Sequence, residues 1–175
     1  MTANTAVPAI RAALHEALLG PEGEWGTFLL HDTGALDTLS AINAEQASRE
    51  PAPDRTTLAK MVGHLTTSLE YALKVVNGND NPEWDSRPEP AVVNAAEWTA
   101  LQKRLRAAGL ALDARLADPE GVNVPTVIGT VAHTAYHVGG IRQIALLLKA
   151  AEGRATEGRA AGGQTAEGQA IESKH

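Results

Sequence analysis

At 175 residues, with 43% hydrophobic and 3% aromatic side chains and a formal charge of −6, the chain has the size and composition of one folded domain. It contains no cysteine, which excludes thiolate nucleophiles, disulfides, iron–sulfur clusters and cysteine-ligated zinc. Net negative charge without a block of Lys and Arg opposes a nucleic-acid partner, and with no signal-like N-terminus and no apolar run of about 18 residues the chain reads as cytoplasmic and not membrane-bound.

Residues 7–20 place Val7, Ile10, Leu14 and Leu18 three and four apart, with Pro8 in the first turn and Gly20-Pro21 beyond the end. This pattern predicts a short amphipathic helix, expected to pack outside the main bundle. Phe28, Leu29, Leu36, Leu39 and Ile42 carry an interrupted helical pattern, which predicts a helix over about 32–47. The prolines at 51 and 53 end it, since each lacks an N–H and pushes the preceding residue out of the α region.

Thr56 stands at the expected N-cap of the next helix. From 57 to 77, Leu58, Met61, Val62, Leu65, Leu69, Ala72, Leu73 and Val76 form a broad apolar stripe, roughly 30 Å long at the helical rise. Residues 79–92, rich in Asn, Asp and Pro, read as a loop anchored by Trp84. Asn94 caps a helix to about Leu116, with Trp98, Leu101, Leu105, Ala108 and Leu112 on its inner face. Thr126 is the expected cap of a last long helix, ending near Ala150. After that, residues 151–175 are a loose repeat of Ala, Gly, Glu, Gln and Arg with almost nothing to bury, expected to be disordered. With no stretch of period-two alternation, the expectation is an all-α, up-down four-helix bundle over 1–150, with a short extra N-terminal helix and a tail.

The chemistry is concentrated in the histidines. His133 and His137 lie at i and i+4 of the last helix, on one face, where two imidazoles can reach one ion. His64 sits mid-helix in 57–77, sharing a face with Met61, Ser68 and Tyr71. One imidazole from one helix and two from another can form a three-nitrogen set that leaves a coordination position for water or substrate, the arrangement of a catalytic rather than a structural site. The competing reading is of hydrogen-bonded core histidines. The pair is no zincin motif, because Thr134 stands where H-E-x-x-H needs its glutamate. Tyr71, as a hydroxyl donor, and Arg142, as an anion binder, are the weaker candidates for catalysis.

The segments Ser48-Arg-Glu-Pro-Ala-Pro-Asp-Arg-Thr-Thr-Leu-Ala-Lys-Met-Val-Gly-His-Leu65, Asn81-Pro-Glu-Trp84, Glu97-Trp98 and Ala132-His-Thr-Ala-Tyr-His-Val-Gly-Gly-Ile-Arg-Gln143 together resemble the DinB/YfiT-like superfamily over roughly residues 5–150. The resemblance implies a four-helix bundle, often a homodimer, with a divalent metal held by His64, His133 and His137. It also implies, from some members, transfer or isomerisation chemistry using a low-molecular-weight thiol such as bacillithiol or mycothiol. Gly140 departs from the Gln often found in the family's His-x-Gly-Gln form, while Gly139 and Gln143 remain.

The expected function is a metal-dependent transferase or hydrolase acting on a small-molecule substrate. The alternative is a non-catalytic binding bundle with a structural metal or none. Imidazole ligands suit Zn, Ni, Fe and Mn alike.

Overall fold

The computed structural model describes residues 6–172, with side chains through Arg154. Its elements are α1 (Ala6–Leu19), α2 (Ala35–Ser40), α3 (Ala44–Ser48), α4 (Leu58–Val76), α5 (Ala95–Leu116) and α6 (Val124–Glu172). No strand occurs among the described residues, and no described helix is long and apolar enough to cross a membrane.

Caps account for most of the boundaries. Thr57, one residue later than expected, accepts from Lys60 N at the start of α4. Asn94 and Glu97 form a reciprocal capping box at the start of α5. At α6 the capping side chain is Asn123, which accepts from Thr126 N, and not Thr126 itself. The helix expected over 32–47 is two short ones, because the chain leaves the helix after Ala41 and a second capping box, Asn43 with Gln46, restarts it.

α1 is one of the four bundle helices. Its Val7, Leu14 and Leu18 are buried in the main core with side chains of α4, α5 and α6, which corrects the expectation that this helix packs outside. Two small residues explain how it gets in. Gly109 of α5 clears the way for Leu18, whose Cδ1 would lie 2.7 Å from a Cβ there, and Gly34 lies against the backbone at the end of α1, where a Cβ would sit 2.3 Å from Gly20 N. A bidentate pair, Arg11 to Asp113 at 3.1 and 2.8 Å, adds a polar tie between α1 and α5.

The helix directions follow from these and similar contacts. Arg11 meets Asp113 while Leu18 meets Gly109, so α1 opposes α5. Met61 faces Gly140 and Ser68 faces His133, so α4 opposes α6. Thr57 Oγ1 at the start of α4 donates to Ala91 O just before α5, and further along Arg104 Nε donates to Glu70 Oε1 at 2.7 Å, so α4 and α5 run together. The order is therefore up-down-down-up, not the alternating order expected. The physical reason is residues 77–94, which do not turn back tightly but return along α4 as a strap, with Trp84 near Tyr71, Glu89 at Thr67 and Ala91 at Thr57.

α6 passes its expected end near Ala150 and continues to Glu172. The last buried apolar side chain among the described residues is Leu148. The expectation of disorder over 151–175 lies, beyond Arg154, outside the described side chains.

Glu16, read from the sequence as part of a simple amphipathic helix, is a buried carboxylate that organises the loop after α1. Its oxygens accept from Thr27 N, Phe28 N and Leu29 N at 2.8, 2.7 and 2.6 Å. Burial alone would raise its pKa, but these backbone N–H groups outweigh burial and hold it below its ordinary 4.5. Because folding lowers this pKa, the unfolded chain takes the proton first. The contribution is whole above about pH 4.5 and is lost as pH falls further. We expect Glu16→Gln to cost about 1–3 kcal/mol at pH 7 and to flatten the acid limb of the stability profile, as read by urea denaturation across pH. We also expect a chain ending at Arg154 to melt with the full-length protein, as read by circular dichroism.

Candidate metal centre

The opposed faces of α4 and α6 bring the three predicted histidines together. Ring centroids are 5.2 Å apart for His64–His133, 5.1 Å for His64–His137 and 4.4 Å for His133–His137. One ring nitrogen from each lies within 4.8 Å of the other two. Two features keep the helices in this register. One turn beyond His137, Gly140 leaves room for Met61, whose Sδ would lie 3.3 Å from a Cβ at that position. One turn beyond His64, Ser68 Oγ donates to His64 O at 2.9 Å and lies 3.2 Å from His133 Nε2.

The environment disfavours the protonated form of both histidines on α6. Burial pushes the His133 pKa down, with the neighbouring His64 adding to it. Burial, then His133 and His64, push His137 down to about 4. Neutral imidazole is the form that donates a lone pair to a metal. Among the described residues His137 Nδ1 is buried with no hydrogen-bond partner, an unsatisfied polar atom of the kind that a ligand or ordered water relieves. The donor set, three imidazole nitrogens on two rigid helices, fits a divalent transition ion.

His64 and His133 open onto a cavity of about 320 Å³ shared with Ser68, Tyr71, Trp84 and Thr130. Trp84 of the strap leans over it, its ring centroid 6.0 Å from that of His64 and 5.5 Å from that of Tyr71. The strap comes this close because of Gly63, where a Cβ would lie 2.3 Å from Glu89 Oε2; the Glu89 carboxylate instead passes over the helix and accepts from Thr67 Oγ1 at 3.1 Å. Trp84 thus pins the strap, as expected. Trp98 is buried and donates its Nε1–H to Ile42 O, fixing the α2–α3 segment.

Of the weaker candidates, Tyr71 lies in the cavity wall and Arg142 does not; Arg142 lines a different cleft, between α6 and the α2–α3 segment. Tyr136 is mostly exposed and packs on the His137 ring at 5.3 Å. Glu70 is partly exposed and paired with Arg104. Thr134, at the zincin glutamate position, is fully buried and donates to Thr130 O. His15 lies beside Asp113 and His31 beside Asp32, both away from the three. Ser68, which the sequence placed on the His64 face without a role, is brought against His133. Its position four after His64, on the same face, was the available signal.

The model of the DinB superfamily matches residues 31–145, more than half the chain. The protein belongs to the DinB superfamily. No curated protein and no solved structure matches it. The family match spans α2 to most of the packed part of α6 and includes His64, His133 and His137, while α1 lies outside it.

The lowered pKa of His137 has a measurable consequence. Folding depresses it from 6.5 to about 4, so the unfolded chain binds this proton first and metal-free protein loses stability as pH falls through that interval. Urea denaturation of metal-free protein between pH 7 and pH 5 should show the decline, and His137→Gln should shrink it. An unchanged slope in the variant would place the effect elsewhere.

Proposed function

We propose that this DinB-superfamily protein is a metal-dependent enzyme acting on a small molecule, with His64, His133 and His137 as the ligands, and that it transfers a low-molecular-weight thiol or hydrolyses its substrate. The observation that carries the reading is the convergence of three nitrogens from two helices, with His64 and His133 at the wall of a solvent-open cavity. Three protein ligands leave a position open, whereas structural sites are closed by four. When bound there, a divalent ion supplies Lewis acidity and an open position for a thiol or water.

The chain's own groups complete the site. Ser68 holds the His133 ring in place through the 3.2 Å contact while its proton is committed to His64 O. Tyr71 offers a hydroxyl from the wall, and Trp84 supplies an apolar cover that limits water and packs a substrate's carbon skeleton. The thiol rests on the family resemblance. Hydrolysis uses the same ligands.

We expect protein purified without chelator to hold about one transition metal per chain, and His64→Ala, His133→Ala and His137→Ala each to lose it with helical circular dichroism retained. Turnover of a thiol with an electrophilic acceptor, or of an activated ester, should disappear with the metal. Stoichiometric metal in any of the three variants would remove that residue from the site. Stoichiometric metal in the wild type with no turnover of either substrate class would favour the non-catalytic bundle.

A further inference from the structure

We propose that the cleft between the α2–α3 segment and the outer face of α6 is a second ligand site, which takes a small amphipathic carboxylate. The cleft has a volume of about 440 Å³, within the range of small-molecule sites. It shares no lining residue with the imidazole cavity. Arg142 follows His137 by five positions, which turns it about 140° away around the helix axis. The inference therefore stands independently of the metal.

Charge decides the kind of ligand. Arg142 is half-buried in the cleft, and Lys149 follows seven residues later, two turns along the same face. Among the described residues neither side chain has a hydrogen-bond or ion-pair partner. A cation partly withdrawn from water without a counterion raises the energy of the fold, and an arriving carboxylate removes that cost through charge-assisted hydrogen bonds. The anion already present, Glu152 at the far end, is held by the Gln46 amide at 2.9 and 3.0 Å and faces Arg49 at 3.9 Å.

The remaining lining decides the rest of the ligand. Ile42, Ala145 and Leu146 make an apolar surface between the two cations, and Thr38 adds a hydroxyl on the wall facing α6. A carboxylate against Arg142 therefore leaves its carbon chain lying on apolar side chains. Inorganic anions would gain only the first contact.

Isothermal titration calorimetry of the full-length chain with octanoate tests the assignment, with octan-1-ol as the uncharged comparison. About one octanoate should bind per chain, octan-1-ol at least about tenfold more weakly, and Arg142→Gln should weaken octanoate at least about tenfold, as expected for loss of a charge-assisted contact. Lys149→Gln should weaken it less and carries the same test if Arg142→Gln fails to fold. His64→Ala should bind octanoate as the wild type does. No saturable binding, or equal binding by the two cation variants and the wild type, would overturn the proposal. Loss confined to His64→Ala would also overturn it, by placing the carboxylate at the imidazoles.

Discussion

The register of α4 against α6 is the constraint on which the candidate centre depends. Met61 against Gly140 and Ser68 against His133 are contacts on either side of the histidines along one antiparallel seam. A slip of one turn, about 5.4 Å, would separate His64 from the pair on α6 by more than a ligand sphere allows. Helix-borne ligands are held more rigidly than loop-borne ones. The seam is thus both core packing and the positioning device of the site. Gly140 fits this account physically, since the space of its missing side chain is taken by the Met61 thioether.

The rest of the molecule supports that seam from two sides. The strap at 77–94 forces α4 and α5 to run together, and the Arg104–Glu70 pair and the Thr57–Ala91 bond tie them along that shared direction. The same strap brings Trp84 to the cavity mouth. On the other side, α1 packs on α5 and α6 at the price of small residues at Gly34 and Gly109 and of one buried carboxylate. Glu16 is stable there because three backbone N–H groups replace the water it gives up.

Local signals in the sequence were enough for much of this. The stripes of α4 and α5, the Asn94 cap and the i, i+4 spacing of His133 and His137 depend only on neighbours in the chain, and the structure carries each of them. What could not be read depends on distant partners. The fate of α1 turns on whether Leu18 finds Gly109, some ninety positions away. The parallel course of α4 and α5 turns on a strap whose polar composition says loop but not where the loop runs. Glu16 gave no signal in the sequence because its partners are backbone amides, which leave no trace in composition. The break at 41–43 was legible in principle, since Asn43 followed three residues later by Gln46 is a capping box, but the apolar pattern across it suggested continuity.

X-ray absorption spectroscopy of the zinc-loaded protein tests the central claim most directly, because it counts the imidazoles around the ion. The account predicts three imidazole nitrogens at about 2.0–2.1 Å together with a light, non-protein donor. A spectrum showing fewer than three imidazoles, or zinc held by carboxylates alone, would contradict it.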